Sequence, residues 1–404
     1  MDERLAALRA WQLDPYPHYR RARETAGLTF VPELDAWLVS RAQDVREVLR
    51  WPAEFSSANA LTPDVMPGRD ALAVLATGFG GYRAVVASDG DAHRRLRAPV
   101  NRGLTAAQVA SSLPYATQRV AALLGGLLPA GRGELMRDYA RRLPGQVIGR
   151  LLGLEPADVP AVVAGSYRAE SLLFQPLDPE EQIRAAQDVV AMQHLLDSYA
   201  RARRRDPRAD LISETVYALA PGAGELSREQ RNEIASQLQN LLAAGHFTTS
   251  ALLGTTLLHL LRHREQWQLI VERPGLIPAA IEEAARYDSP VQGFRRITTR
   301  PVMLAGTELP AGASVFVAFG SANRDEHAVK DPDVFDITRE PVRHLAFGYG
   351  VHGCPGHQLA EEQLRLTLEA FTARLPQLRL DPARPARMRP SMIHRSPAEL
   401  HTVW

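Results

Sequence analysis

A glycine-rich segment around the only cysteine of the chain constrains its fold more than any other feature. The segment spans residues 344–360, with Cys354 between Gly348, Gly350 and Gly356. Glycine lacks a Cβ, so the backbone can turn tightly there, approach a bound group closely and aim N–H groups at the cysteine sulfur. An apolar periodic stretch, residues 359–371, follows and is typical of a helix. The sequence therefore predicts a tight loop that presents one thiolate just before a helix.

Composition narrows the class of protein without identifying it. The chain has 404 residues, of which 45% are hydrophobic and 23% are charged, as in ordinary globular proteins. Its formal net charge of +1 gives no overall field that would attract nucleic acid or an anionic membrane. A single cysteine excludes an internal disulfide framework. The N-terminal residues are charged throughout and contain no apolar stretch of membrane-spanning length, so we expect a cytoplasmic protein without a membrane anchor.

The pattern of apolar residues predicts a chain of mostly helices with a minor β component. Residues 29–39 contain two apolar runs that indicate a hairpin, and Ser40 is predicted to cap the helix that carries Val45 and Leu49. Short strands are predicted at 294–298 and 314–318. Helices are predicted at residues 91–101, 108–128, 133–152, 159–171, 179–205 and 228–264.

Six positions of the glycine-rich segment match a known signature. They resemble the haem-binding motif Phe-Gly-x-Gly-x-His-x-Cys-x-Gly of the cytochromes P450. The resemblance implies the mainly α, minor β fold of that family, with residues 1–404 as one domain. It further implies haem b as cofactor, with its iron bound by the Cys354 thiolate, whose electron donation favours O–O cleavage. The matching residues are Phe347, Gly348, Gly350, His352, Cys354 and Gly356.

The same resemblance implies donors for the two haem propionates. His93 and Arg97 are four residues apart and share a helix face, like the family's His-x-x-x-Arg pair. Arg296 and His352 are the other matching donors. Arginine suits this task because its planar fork binds carboxylates at two points.

Residues 241–250 resemble the family's oxygen-activation segment, Ala-Gly-x-Asp/Glu-Thr-Thr. Ala244 and Gly245 are small enough for a helix to pass over the haem, and Thr248 matches the hydroxyl that binds dioxygen. The usual carboxylate is replaced by Phe247. Adjacent helical residues point about 100° apart, so His246 is not an evident substitute. Two interpretations of Phe247 stay open. Its ring packs against a neighbouring helix while water or the substrate supplies the protons, or the enzyme carries out an altered reaction.

A second match concerns Glu283 and Arg286, which lie three residues apart on one helix face. In isolation such a pair is usually exposed and contributes little. Its distance from the cysteine segment resembles that of the family's structural Glu-x-x-Arg pair. We therefore expect a buried pair, joined by Arg339, that supports the fold.

The resemblance also suggests the walls of a substrate pocket. These are mostly apolar and favour a hydrophobic or aromatic small molecule of specialised metabolism, including peptide-like compounds. Residues 52–90, which are rich in glycine and proline, match the region that covers the pocket in the family. The expected wall residues are Leu241, Val291, Phe294, Met392 and Ile393.

The expected activity is that of a monooxygenase that hydroxylates this substrate with dioxygen and electrons from a separate protein, such as a ferredoxin with its reductase. An acidic partner is expected to dock near Arg94, Arg95, Arg102 and Arg365. Two alternatives within haem chemistry are oxidative coupling of aromatic substrates and nitration. A different class is a non-catalytic haem sensor or carrier, against which the presence of Thr248 argues.

Overall fold

The structure, a computed structural model, describes residues 3–63 and 66–404. Helices dominate it, as the apolar periodicity predicts. They are α1 (Glu3–Leu13), α2 (Tyr16–Glu24), α3 (Ala42–Arg50), α4 (Arg69–Leu75), α5 (Gly90–Gly103), α6 (Ala106–Leu127), α7 (Arg142–Leu152), α8 (Val159–Phe174), α9 (Pro179–Arg205), α10 (Leu211–Leu219), α11 (Arg228–Arg262), α12 (Arg264–Glu272), α13 (Ile277–Tyr287), α14 (Phe319–Ala322) and α15 (His357–Arg374).

The strands are short and form three sheets. They are β1 (Thr29–Val31), β2 (Ala36–Val39), β3 (Phe55–Ser56), β4 (Arg132–Glu134), β5 (Gly293–Thr298), β6 (Val302–Leu304), β7 (Thr307–Leu309), β8 (Ser314–Ala318), β9 (Arg379–Leu380) and β10 (His401–Val403). One sheet has the order β1-β2-β8-β5-β3, a second β4-β10-β9 and a third β6-β7. In the first sheet β1 and β2 form the predicted hairpin, and β2 runs parallel to β8.

The chain contacts define two compact units. The first comprises Met1–Phe55, Leu113–Pro144 and Phe247–Trp404, and the second comprises Ser56–Ser112 and Gly145–His246. In the first, Trp267 of α12 and Phe371 of α15 are fully buried. In the second, apolar side chains of α5, α7, α8, α9, α10 and the N-terminal half of α11 form one cluster. Apolar burial of this kind stabilises each unit.

Two predicted helix starts are wrong, and in both cases a hydrogen bond to a residue far away in the chain explains the difference. Residues 133–134 form β4 and pair with β10, and a π-helical turn at 136–140 precedes α7. The carboxylate of Glu134 accepts hydrogen bonds from the N–H groups of Met136, Arg137 and Leu400. Ser40 does not cap α3. Asp325 accepts a hydrogen bond from the N–H of Ala42 at 2.7 Å instead.

Helix α11 is long and apolar enough to cross a membrane, but 78% of its most apolar 18-residue window is buried in the protein. A buried core helix passes the same test of length and composition. Among the described residues, α11 is the one helix that passes this test of length and apolar composition. Because most of it is buried, we assign it to the protein core.

Candidate functional site

Cys354 lies in the segment between α14 and α15, two residues after a short 3₁₀ turn at residues 350–352. Its side chain is half-buried, and its N–H donates to the carbonyl of Phe347 at 2.8 Å. This bond closes the loop behind the cysteine. The sulfur is thereby held just before the N-terminus of α15, where the helix dipole favours a thiolate.

Two of the loop glycines have left-handed backbones that disfavour other residues. Gly348 and Gly350 both have φ of 70°. A Cβ on Gly350 would stand 2.6 Å from the carbonyl oxygen of Leu49 in α3. Gly356, with φ of −97°, has a backbone that any residue can adopt. The loop shape therefore depends on Gly348 and Gly350.

The expected propionate donors lie on the two units. In the second unit, His93 and Arg97 lie on α5, and His93 is buried. Burial, followed by the charge of Arg97, lowers the pKa of His93. In the first unit, buried Arg296 lies on β5 and His352 in the turn before the cysteine. Cationic and neutral N–H donors of this kind suit a dianionic porphyrin edge, and a half-buried cysteine suits its iron.

In the oxygen-activation segment, Gly245 serves helix packing. A Cβ there would stand 2.4 Å from Cγ1 of Ile148 on α7, so the close approach of α7 requires a glycine at this position. His246 is fully buried, and its Nε2 lies 2.6 Å from Oγ of Ser166 on α8. That ring also packs edge-on against Tyr167. His246 is therefore engaged with α8.

Phe247 is buried, and its ring centroid lies 5.8 Å from that of His394. The two rings are tilted by 55°. Phe247 thus fills space between α11 and the segment that carries Met392 and Ile393. A phenyl ring supplies neither a proton donor nor an acceptor at this position.

Exposure varies around α11 near the oxygen-activation segment. Leu241 is buried in the apolar cluster of the second unit. Ala244 is exposed, and Asn240 and Thr248 are half-buried, whereas Leu242, His246 and Phe247 on either side are buried. At four-residue spacing the three accessible residues share one face of the helix. Leu241 as a pocket wall stays a prediction.

The remaining wall residues belong to two segments that pair in the first unit. The N–H of Gln292 donates to the carbonyl of Ile393 at 2.8 Å, and Val291 bridges to His394. Val291, Met392 and Ile393 are buried. Phe294 is half-buried and packs edge-on against Phe319.

Asp288 connects the segment that contains Val291 to the segment that contains Ile393. It is buried and accepts hydrogen bonds from Tyr16 Oη at 2.7 Å and from Arg395 Nε at 3.0 Å, while His259 Nε2 lies 2.9 Å away. Although burial opposes ionisation, Arg395 and His259 keep the pKa of Asp288 well below its ordinary value. The ionised carboxylate ties α13 to the segment around Arg395.

Glu283 and Arg286 form a buried two-point ion pair on α13. Nε and Nη2 of Arg286 lie 2.7 and 2.8 Å from the two carboxylate oxygens. Arg339 Nε adds a contact at 3.3 Å, and the N–H of Asp336 one at 2.9 Å. Arg286 also donates to the carbonyls of Asn323, Pro332 and Val334. The cluster fixes the chain that leads into the cysteine loop.

Phe79, in the segment expected to cover the pocket, fills a socket in the second unit; residues 64 and 65 of that segment lie outside the described residues. Its N–H donates to Gln193 Oε1 of α9 at 2.9 Å, and the guanidinium of Arg228 lies 4.0 Å from its ring centroid. Gln237 of α11 accepts from the N–H of Val85 at 3.1 Å. This set of contacts, the Phe79 socket, fastens residues 78–85 to α9 and α11.

The arginines expected to attract an acidic partner are paired within the chain. Arg94 pairs with Asp91, Arg95 with Glu233, Arg102 with Glu214, and Arg365 with Glu362 and Glu369. Their carboxylate partners reduce the net charge that a docking protein would meet. These four arginines therefore attract an acidic protein less strongly than the sequence alone suggests.

A different group of arginines lies beside the cysteine loop, and we call it the arginine patch. Arg46 and Arg50 lie on α3, Arg46 donates to the carbonyl of Arg343, and the guanidinium of Arg50 lies 5.6 Å from the ring centroid of Tyr349. Tyr349 and Val351 are exposed. Within residues 3–63 and 66–404, none of these three arginines has an ion pair with a carboxylate. The patch thus combines cations with exposed apolar side chains.

Comparison with known proteins places this geometry in a family. Residues 167–390 match the family model described as Cytochrome P450. The chain belongs to the cytochrome P450 family. This P450 is 33% identical over 92% of its length to Cytochrome P450 107B1 of Saccharopolyspora erythraea, covering 90% of that protein. It is also 33% identical to Nocardicin C N-oxygenase of Nocardia uniformis subsp. tsuyamanensis, with 97% and 96% of the two chains covered.

Solved structures agree on the fold. The P450 matches cytochrome P450 CREJ in complex with (4-ethylphenyl) dihydrogen phosphate with a TM-score of 0.91 and 30% identity, covering 97% of this chain and 98% of that one. The mainly α, minor β cytochrome P450 fold predicted from sequence is thus confirmed. Relatives such as Steroid C26-monooxygenase of Mycolicibacterium smegmatis, 33% identical with 90% and 86% of the chains covered, agree with an oxidoreductase of the monooxygenase type. The family implies a haem-thiolate iron cofactor, a redox partner and a small-molecule substrate.

Proposed function

We propose that this P450 hydroxylates a hydrophobic or aromatic small molecule of specialised metabolism in the cytoplasm, as one haem b domain of residues 1–404. The observation that carries the proposal is the closed glycine loop that holds Cys354 half-buried before α15. Overall, one substrate C–H bond, dioxygen, two electrons and two protons yield a C–OH group and water. Related proteins carry names that refer to a steroid, vitamin D3 and nocardicin C, which supports the substrate range.

The residues present fit a haem-thiolate group. When bound, that group supplies the oxidising chemistry, since a thiolate ligand favours O–O cleavage. Cys354 would ligate the iron. His93, Arg97, Arg296 and His352 would hold the propionates, and Phe347, Gly348 and Gly356 would line the group beside the cysteine.

Three residues of α11 would shape the oxygen chemistry that the bound group supplies. Ala244 leaves room on the accessible face, and the Thr248 hydroxyl, four residues on, orients dioxygen by a hydrogen bond. Because Phe247 offers no proton, protons reach this hydroxyl from water or from a polar group of the substrate. Packing of Phe247 against His394 supports the simple role of this ring. If hydroxylation is absent, oxidative coupling or nitration is the second candidate activity, and it rests on the missing carboxylate.

Turnover with dioxygen and an electron donor tests the proposal. Purified holoenzyme is offered a steroid, vitamin D3, nocardicin C and 4-ethylphenol, and product, dioxygen use and peroxide are measured. We expect a hydroxylated product with at least one compound. Thr248→Ala should lower the fraction of electrons recovered in product by about tenfold or more, because the positioned hydroxyl is lost, and should raise peroxide.

Matched variants on the same helix sharpen this test. Thr249 is buried beside Thr248 but points about 100° away, so Thr249→Ala should keep the product yield. Phe247→Glu should raise the yield if proton supply limits turnover, whereas Phe247→Leu should not. Binding without dioxygen-dependent product, in protein with a normal haem spectrum, would contradict the enzymatic proposal and favour a sensor.

We infer that an acidic one-electron carrier, such as a ferredoxin, docks on the arginine patch. The three arginines lack carboxylate partners among the described residues, and Arg50 and Tyr349 place a cation and an exposed ring beside the cysteine loop. Complementary charge speeds association and is screened by salt. The patch replaces the paired arginines as the expected docking site.

Charge reversal distinguishes the two arginine groups. Arg343→Glu should slow reduction by a ferredoxin at low salt by about fivefold or more, because steering acts on the association rate, and added salt should reduce the difference. Arg102→Glu serves as the control, since Arg102 is already paired with Glu214. Stopped-flow reduction under carbon monoxide measures both. Equal rates in the wild type and Arg343→Glu would exclude the patch.

A further inference from the structure

The first unit contains a cavity of about 480 Å³, which we call the α3 cavity. It lies between the start of α3, the residues that follow α14 and the chain that leads into the cysteine loop. Its lining comes from residues between 41 and 46, 322 and 329, and 342 and 344. None of the residues assigned above to the haem or the substrate belongs to it. Cavities of this size hold small organic molecules, so the α3 cavity has room for a ligand of its own.

Two arginines of the lining are available to a ligand. Nη2 of Arg46 donates to the carbonyl of Arg343 at 2.8 Å, which holds the two residues beside each other. The Arg343 residue is exposed, and its guanidinium has neither a hydrogen bond nor an ion pair in the two ranges that the structure describes. A third lining arginine, Arg41, is paired with Asp44 at 3.8 Å. The cations that a ligand meets are therefore Arg46 and Arg343.

A carboxylate in the same lining limits the charge of the ligand. Asp325 is buried, and its oxygens accept hydrogen bonds from the N–H groups of Ala42 at 2.7 Å and His327 at 3.0 Å. His344 lies 3.2 Å from its own carboxylate partner, Glu282. Against the two available guanidinium groups, Asp325 leaves one positive charge in excess. A monoanion neutralises that excess, whereas Asp325 repels the second charge of a dianion.

Apolar side chains line the deeper part of the cavity. Ala42, Ala322 and Val329 are buried, and Val342 is half-buried. A water molecule takes up about 30 Å³ in the liquid, so an inorganic anion would leave most of the space unfilled. Contact with these side chains favours a ligand with an apolar body.

We propose that the α3 cavity binds an organic monocarboxylate with an apolar body, held by the guanidinium groups of Arg46 and Arg343. Arginine binds a carboxylate at two points, and such charged hydrogen bonds are stronger than neutral ones. The inference goes beyond the proposed function, because this binding needs neither the haem nor an electron carrier. A carboxylate side chain of a docked carrier has the same chemistry, so the free acid is tested with no carrier present.

Calorimetry of the holoenzyme with its iron occupied by 4-phenylimidazole tests the site. The azole blocks the haem side of the protein, and its visible spectrum reports that it stays bound. The probes are hexanoate and phenylacetate, each compared with its neutral amide. At pH 7 and low salt, we expect each acid to bind about tenfold more tightly than its amide, because hydrogen bonds to charged groups contribute more than neutral ones.

Variants assign the binding to the cavity. Arg343→Gln should weaken binding of the acids about tenfold and leave the amides unchanged, because it removes a charge that no other side chain uses. Val342→Trp should weaken acids and amides alike, because it fills the space. Arg102→Gln is the matched control, since Arg102 belongs to the second unit and is paired with Glu214. It should bind the acids as the wild type does.

The outcomes decide the inference without deciding the proposed function. Preference for the acids that Arg343→Gln removes, with weaker binding in Val342→Trp, supports the α3 cavity as the site. Equal affinity for acid and amide, no binding of either, or acid binding that Arg343→Gln leaves unchanged overturns it. Arg343→Gln keeps the test valid if Val342→Trp folds poorly. The haem-thiolate function stands or falls by the turnover and spectral measurements, which this titration does not touch.

Discussion

The Cys354→His variant is expected to lose the strongly red-shifted Soret band of its reduced carbon monoxide complex. That band depends on a thiolate opposite the bound carbon monoxide, and Cys354 is the only cysteine in the chain. The surrounding loop should keep its shape, because the N–H of residue 354 still donates to the carbonyl of Phe347. Absorption of the dithionite-reduced protein under carbon monoxide measures the change.

Dioxygen-dependent product should fall in the same variant by about a hundredfold or more, since the electron donation that favours O–O cleavage is removed. Haem content measured by pyridine haemochrome separates this effect from loss of the cofactor. A haem-loaded Cys354→His protein that keeps the red-shifted band would rule out Cys354 as the ligand.

The second large effect is expected from the buried ion pair on α13. Glu283→Gln keeps the side-chain shape but leaves the guanidinium of Arg286 without its carboxylate in a buried site. Removing one member of a buried pair costs about 3 to 5 kcal/mol, because the other charge stays desolvated. We therefore expect unfolding of the holoenzyme at a clearly lower denaturant concentration, and haem release at a lower temperature.

An exposed pair provides the matched control. Nε of Arg137 lies 2.7 Å from Oδ1 of Asp138, and the Arg137 side chain is 71% exposed. Arg137→Gln should change the free energy of unfolding by less than about 1 kcal/mol, because solvent screens the pair. Similar losses for Glu283→Gln and Arg137→Gln would show that burial does not set the contribution of the Glu283 pair.

The fold could be predicted where local pattern and tertiary structure agree. Strand β8 has the predicted bounds, Ser314–Ala318, because its apolar run is buried in the sheet. Helix α9 likewise starts and ends where predicted, with Asp178 capping its N-terminus. The start of α3 and the stretch at 133–141 could not be predicted, because Asp325 and Leu400, which bind there, are more than 250 residues away in the chain. Local propensity carries no record of such partners.

The candidate site could likewise be predicted from the sequence only in part. The cysteine loop and the Glu283 pair follow from residue types at fixed spacing. The packing of α11 does not, because adjacent helical residues point about 100° apart and the sequence does not show that α7 approaches Gly245 or that Ser166 bonds His246. The pairing of Arg94, Arg95 and Arg102 depends on Asp91, Glu233 and Glu214, and two of those carboxylates belong to other helices.

The Phe79 socket gives an irregular segment the local stability of regular structure. Backbone amides in a loop normally exchange their hydrogens with water quickly, because no partner holds them. Here the amides of Phe79 and Val85 donate to Gln193 and Gln237, and the Phe79 ring is 1% exposed beneath the Arg228 guanidinium. Exchange at these two amides therefore requires that their bonds to Gln193 and Gln237 open, so their opening free energy measures how firmly residues 78–85 are held.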